Sequence, residues 1–511
     1  MEYLIGVDIG TTGIKASLYD TEGHQKAEAF RELALSYPRS GWVEQNPDDF
    51  YTGACQCIAE MIRRTGTEGV LVKAVTIAGQ MAGILGIGED WRPVTHYDSW
   101  LDSRCSAQVR YIREQAEVSV LEKSGLPSMV AHCAKILWWK EERPETFKKI
   151  VKFIQPNAYV AGRMAGLKGA QAFIDYTYCH FTGLFDFPRN VWSEELCRLF
   201  DIPLEKLPRV CDPWEIVGEL GAGPAAECAL PAGIPVVAGC GDQAAGFLGA
   251  GLVEAGSIVD VAGTASVFAC GVDRFAPDLQ FRTLLSCRSV LPNLWFPHAF
   301  LTGGGLCLRW FRDNVVKPSP DRAAGIYREL DAAAERRDGP TGVLFLPHMS
   351  GRNFPFHEGL RGSFANMNWN TDNVTLYKSI MEGIAYEYSL YLKIERSIFR
   401  DTDFYEVRVY GGGARSALFT RIKADILGIP YVTLKHSEVG ALGCVILGGY
   451  AAGIYKDMAS ASREFNGVAQ RIEPDMQNHQ RYRQYAGAYA EYSRVMEEFH
   501  SAQGGALKTE K

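Results

Sequence analysis

Two aspartates stand where buried strands run out into glycine. Asp8 lies in IGVDIGTTGIKASLYD (Ile5 to Asp20), with apolar Ile5, Val7 and Ile9 around it and Gly10-Thr11-Thr12-Gly13 behind it. Asp242 lies in GCGDQAAG, after the apolar run that ends at Ala238. A buried carboxylate is costly unless something pairs with it. Glycine turns supply a complementary feature, because their exposed backbone N–H groups favour anions. Such turns recur at 263–266, 303–305 and 411–413. Two Gly-Thr turns facing each other across a cleft would hold a triphosphate from both sides. With phosphates in place, the acids take separate jobs. One can hold a hydrated magnesium, which keeps most of its waters and needs few protein ligands. The other can accept a proton from an attacking hydroxyl, a contribution of roughly 10²–10⁴-fold. In phosphoryl transfer the protein otherwise positions groups and neutralises charge.

The elements that must position these residues follow from the pattern. Residues 3–36 read as three successive strands, with turns at Gly10–Gly13 and Glu22-Gly23. Asn46-Pro47 opens a helix to about Arg64, with Asn46 as cap and Pro47 at the first helical position. Val72–Ala78 is another strand, ending at Gly79-Gln80, and strands then alternate with helices, which makes the class α/β. Residues 105–200 read as mainly helical. Residues 229–251 read as a strand, a glycine turn carrying Asp242 and a small-residue helix. The stretch IVDVAGTASVFACGVD (258–273) echoes the opening one, Asp260 standing for Asp8 and Gly263-Thr264-Ala265-Ser266 for Gly10–Gly13. The duplication places a domain boundary near residue 250, giving domains 1–250 and 251–511. Residues 409–430 add a strand, three glycines and an amphipathic helix, 437–455 a small-residue helix, and the tail from Asp475 to Ser501 an outer helix.

Bulk properties narrow the function classes. A chain of 511 residues with 47% hydrophobic and 22% charged residues has material for more than one core. A net charge of −7 without a basic patch argues against nucleic acid as a partner. No stretch of about 18 residues is both apolar and uncharged, so no membrane span is expected, and residues 1–15 lack the marks of a signal peptide. The thirteen cysteines include no Cys-x-x-Cys pair, which points to reduced thiols in a cytoplasm. The ten histidines show no metal-ligand spacing.

Taken in order, GVDIGTTGIKASLYD, TIAGQMAG, SWLDSR, GCGDQAAGFLGAG, DVAGTAS, GGGLCLRWFRD, LFLPHMSGRNFPF, LRGSF, IMEGIAYE, YGGGARS and EVGALG resemble the FGGY family of carbohydrate kinases. The likeness runs from Leu4 to about Tyr455 and is nearest the family's xylulokinases, on AGQMAG and GDQAAGFLGAG. The resemblance implies two actin-like ATPase (ribonuclease H-like) domains around a deep cleft. It implies transfer of the γ-phosphate of ATP, with Mg2+, to a hydroxyl of a small sugar, xylulose first among the candidates. Another ketose, gluconate, a tetritol or a quorum-signal sugar are the alternatives, as is a regulator that binds sugar and ATP without catalysis.

By the same resemblance Asp242 is the base and Asp8 the magnesium ligand. Gln80, Met81, Trp100, Asp102 and Gln243 border the sugar. Thr11, Thr12, Gly263, Thr264 and Gly305 lie by the phosphates, and Gly412, Gly413 and Ser416 on the adenine side. Homodimers are frequent in this fold. Four positions depart from the family pattern. Ala82 stands where xylulokinases usually carry histidine, His132 where a small residue is usual, Asn366 in place of a glycine and Thr375 in place of a polar or acidic residue. Met81-Ala82 also lacks the charged pair that glycerol kinases place there, which disfavours glycerol.

Overall fold

The computed structural model describes residues 2–503. Its first half is built on β1 (Tyr3–Ile9), β2 (Gly13–Asp20), β3 (Gln25–Glu32), α1 (Pro47–Thr65), β4 (Val72–Gly79), α2 (His132–Glu142), β5 (Ile216–Glu219), β6 (Pro235–Gly241) and α3 (Asp242–Ala250). The strands make one six-stranded sheet in the order β5-β6-β4-β1-β2-β3. The β1–β2–β3 run is antiparallel, and β4 and β6 continue it in parallel. Parallel pairing needs crossovers, which α1 and the helical region after β4 supply. α1 starts as its cap residues dictate: the Asn46 side chain accepts from the Asp48 N–H, Pro47 opens the helix, and Gly66 ends it at φ 63°.

The second half carries β7 (Ser257–Ala262), β8 (Ser266–Cys270), β9 (Leu285–Arg288), β10 (Trp295–Leu301), α4 (Gly304–Phe311), α5 (Asn373–Ile398), β11 (Glu406–Tyr410), α6 (Ala417–Leu427), β12 (Tyr431–Leu434), α7 (Val439–Ala451), β13 (Val468–Ile472) and α8 (Met476–Ala502). Its seven-stranded sheet runs β9-β10-β8-β7-β11-β12-β13. Here β10, β8 and β7 are antiparallel neighbours, and β11 and β12 continue in parallel. Both sheets therefore share a core: an antiparallel run followed by two parallel strands. α8 lies against α5, α6 and the loop after α4, burying Tyr482 and Tyr489.

The duplication is real, but its register differs from the sequence reading. Ile9 pairs with Ile14 and leaves a four-residue turn, whereas Ala262 pairs with Ser266 and leaves three. The next-to-last residue is half-buried in each strand, Asp8 in β1 and Val261 in β7, between fully buried neighbours. Asp260 thus stands one pleat away from the position of Asp8, and a one-residue step moves a side chain to the other face. It points into the core, where Lys423 reaches it at 2.5 Å and the Tyr388 hydroxyl donates to it at 3.0 Å.

The two small-residue helices join the halves. α3 and α7 pack on each other, and α7 also covers β1 and β4. The approach is at backbone distance: a Cβ at Gly443 would overlap the Ala245 carbonyl. On β1, Ile5, Val7 and Ile9 face the α1 side, while Leu4 and Asp8 face α7.

Candidate active site

Asp8 owes its position to that second face. A Cβ at Gly440, near the start of α7, would overlap its carboxylate, so the helix can close over the acid only with glycine there. Oδ1 is buried and has no hydrogen-bond partner among the described residues. Burial pushes the carboxyl up to about 6, against the pull of Lys15 and with a smaller push from Glu438. An orphaned hard oxygen of this kind suits a magnesium ion, which takes one or two carboxylates and keeps its waters.

Asp242 is the first residue of α3, where the helix N-terminus favours a negative charge. A break in register between Val237 and Cys240, with Gly239 at φ 76°, twists the end of β6 and aims the acid. Gly241 N–H is fixed by the Thr177 hydroxyl at 2.9 Å, and Asp242 Oδ1 accepts from Gln243 N–H at 2.7 Å. Burial, and then the charge of Asp8, push the Asp242 carboxyl up to about 8. The two acids therefore feel each other, although one lies in β1 and the other opens α3, 234 positions later in the chain. A carboxylate with so raised a pKa is a strong enough base to take a proton from an alcohol as the oxygen attacks.

The residues expected to border the sugar interlock near the turn after β1. Gln80 is 1% exposed and donates to Gln45 Oε1 at 2.7 Å, while Gln45 donates to the Thr11 carbonyl at 2.9 Å. Trp100 Nε1 donates to the Thr11 hydroxyl at 2.8 Å, and the Trp100 ring meets Phe300 of the other half at 6.5 Å. The Met81 side chain lies on Gly241, beside Asp242. Ala82 takes φ 59°, a left-handed conformation that is costly for a residue with a Cβ. Gln45 carries no signature in the sequence. It only precedes the cap of α1, and its role emerges from the pairing of Gln45 with Tyr97.

Asp102 is placed differently from the other sugar-side residues. It is 0% exposed, accepts from Val43 N–H at 2.7 Å, and binds the Arg104 guanidinium through both oxygens. Lys135 holds the Ser99 carbonyl at 2.8 Å and the Asp102 carbonyl at 3.3 Å. Asp102 thus braces the loop that carries Trp100. The neighbouring Asp98 is also turned inward, accepting from Trp139 Nε1 at 2.6 Å.

On the second half the glycine turns knit into one surface. Gly305 N–H donates to the Gly263 carbonyl and Leu306 N–H to the Thr264 carbonyl, both at 3.0 Å. Gly411 and Gly413 pack on Ala262, and Gly412 stands clear of other atoms. Thr12 and Thr264 are exposed on their turns, and Thr11, Gly263, Gly305 and Ser416 are half-buried. Ser416 caps α6 through the Phe419 N–H and donates to Asp331 at 2.8 Å, which fixes the end of the 411–416 turn. Beside Gly303 opens a pocket of about 330 Å³ lined by Leu306, Trp310 and Met349 among others. A larger concavity, between β3 and α1, lies on the outer face near Arg31 and Glu60 and contains none of these residues. Arg352 binds Glu497 of α8, so it fastens a loop to that helix. Cys240 and Cys270 are buried thiols with pKa values raised by burial, unsuited to nucleophilic attack.

Two sheets of shared topology, small-residue helices packed on each other at their junction, two acids that feel each other's charge and a set of glycine turns fit a two-lobed phosphotransferase. Residues 3–249 match the N-terminal domain, and residues 262–452 the C-terminal domain, of the FGGY family of carbohydrate kinases. The chain belongs to that family and is a phosphotransferase with an alcohol group as acceptor. It is 26% identical to a xylulose kinase of Staphylococcus epidermidis over 96% of each chain. It is 25% identical to a gluconokinase of Bacillus subtilis over 97% of this chain and 96% of the other. The fold superposes on the crystal structure of a ligand-bound xylulose kinase from Lactobacillus acidophilus with a TM-score of 0.89, at 20% identity and covering 97% and 98% of the two chains.

Proposed function

We propose that the chain transfers the γ-phosphate of ATP to a hydroxyl of a neutral ketopentose, with xylulose as the acceptor, giving ADP and the sugar phosphate. The observation that carries this reading is the two acids: Asp8 with an oxygen that has no partner among the described residues, and Asp242 at a helix start with its carboxyl raised by burial and then by that neighbour. Asp242 takes the proton of the acceptor hydroxyl as that oxygen attacks. Gln243 and Gln80 orient the sugar, and Gln80 is itself oriented by Gln45. Trp100, tied to Thr11, sets one edge of the pocket and excludes water. Thr11, Thr12, Gly263, Thr264 and Gly305 bind the phosphates; Gly412, Gly413 and Ser416 border the adenine. Asp8 would hold Mg2+, which when bound would supply positive charge against the phosphates.

Neutrality of the acceptor rests on the cations near Trp100. Arg104 is engaged by Asp102 and Glu44, and Lys135 by two backbone carbonyls. Both charges are thus already met within the fold, Arg104 Nη1 alone lacking a hydrogen bond and lying 3.6 Å from Asp98, which disfavours gluconate. The thirteen cysteines are buried and none forms a disulfide, which supports a cytoplasmic setting.

A panel of xylulose, ribulose, gluconate, glycerol and erythritol in a coupled ADP-release assay tests the reading. The expected result is kcat/KM for xylulose at least about tenfold above that for gluconate, the difference that about 1.4 kcal/mol of transition-state binding makes. Preference for gluconate or glycerol overturns the assignment.

A further inference from the structure

One charged side chain next to Asp8 is already held by another group. β1 and β2 pair residue for residue, with Asp8 opposite Lys15, so the two side chains leave the same face of the sheet roughly 5 Å apart at Cβ. The Lys15 ammonium is bonded to Glu438 Oε2, on the residue just before α7. Two residues on, Gly440 packs against the Asp8 carboxylate. Two carboxylates from distant parts of the chain thus flank one ammonium, which is bonded to Glu438 and acts on Asp8 through space. Both charges register at Asp8, where Lys15 favours the ionised form and Glu438 opposes it. Lys15 is 33% and Glu438 42% exposed, so their pair is open to exchange, unlike the buried Asp260–Lys423 pair. Lys15 also lies two residues beyond Gly13, the end of the first Gly-Thr turn.

We propose that Glu438 is a positioning residue that holds Lys15 beside Asp8 and gives it up to the phosphates of an incoming nucleotide. The inference rests on the reading of Asp8 as the magnesium ligand and of the Gly10–Gly13 turn as a phosphate loop. Two consequences follow from the charges alone. Glu438 competes with phosphate for Lys15, so it weakens binding of a nucleotide that arrives without metal. Lys15 competes with a divalent cation for the two carboxylates, so it weakens binding of a metal that arrives without nucleotide. Metal and nucleotide arriving together satisfy both carboxylates and the ammonium at once.

The test measures two affinities on the whole protein, neither of which needs turnover: ADP in EDTA by calorimetry, and Mn2+ without nucleotide by electron paramagnetic resonance. Glu438→Gln is expected to tighten ADP about 2–5-fold, the effect of removing one exposed ion pair, and to weaken Mn2+ by a similar factor. Lys15→Met is expected to do the reverse in both assays. Loss or constancy of ADP affinity in Glu438→Gln, or shifts of the same sign in both variants, overturns the proposal. Lys15→Arg keeps the charge and is expected to follow the wild type; if it behaves as Lys15→Met does, a packing role is indicated and the exchange is refuted. Asp8→Asn separates the underlying reading. If it binds Mn2+ as the wild type does, Asp8 is not the metal ligand, while the ADP assay still decides whether Glu438 restrains Lys15.

Discussion

At the scale of single residues, the acids set the pH behaviour. On the proposed reading Asp242 must be ionised to accept a proton, and burial pushes its carboxyl up to about 8. In the free enzyme kcat/KM should therefore rise with pH between about 5 and about 8, on a limb that reports this group. A flat profile across that range contradicts the assignment. The same shift acts on stability with a definite sign. A carboxyl whose folded pKa lies above its ordinary value of 3.8 makes the fold lose stability as pH rises from the ordinary value toward the raised one. Asp242→Asn removes that loss. Its unfolding free energy should exceed that of the wild type at pH 8 by on the order of 1 kcal/mol or more, read as a higher thermal midpoint, and should match it near pH 4. Asp8 and Asp242 were legible in the sequence because each sits between an apolar strand and a glycine turn. Asp260 was misleading for the same reason. Its pattern is similar, but the shorter turn after β7 shifts the register, and only backbone pairing reveals which face an acid takes. Asp102 and Gln45 could not be sorted from sequence, since burial among Arg104, Val43 and Glu44 depends on contacts across the chain.

At the scale of elements, the junction between α3 and α7 decides whether the acids meet. Asp242 begins one helix, and Gly440 in the other clears space for Asp8. Both helices were readable as small-residue runs. Their mutual packing was not, because a run of glycine and alanine states that something approaches closely without naming it. Gly443→Val places side-chain atoms against the Ala245 carbonyl. The expected cost is about 1–3 kcal/mol from overpacking, read as a lower midpoint in urea. Transfer activity measured well below that midpoint should also fall, because the helices carry the acids. An unchanged midpoint would mean that the crossing is looser than the backbone distance implies.

At the scale of the whole molecule, the residues proposed for the sugar lie on the first half, those proposed for the nucleotide are drawn from both halves, and Trp100 meets Phe300 between them. Chemistry on a γ-phosphate requires both sides at once and water excluded. Adding xylulose together with a non-hydrolysable ATP analogue should contract the radius of gyration in small-angle scattering, beyond the change from either ligand alone. Equal radii in all states would argue against closure. The two-domain plan was visible in the sequence through the repeated strand–turn–strand unit. The order of strands was not, since parallel pairing of β4 with β1 and of β11 with β7 joins segments far apart in the chain.

The most direct measurement compares wild type with Asp242→Asn for phosphate transfer from ATP to xylulose, alongside calorimetric binding of each ligand. The variant should bind both ligands within a few-fold of the wild type while its kcat falls at least about 10²-fold. Near wild-type turnover in that variant would show that the carboxylate at the start of α3 is not what prepares the sugar oxygen.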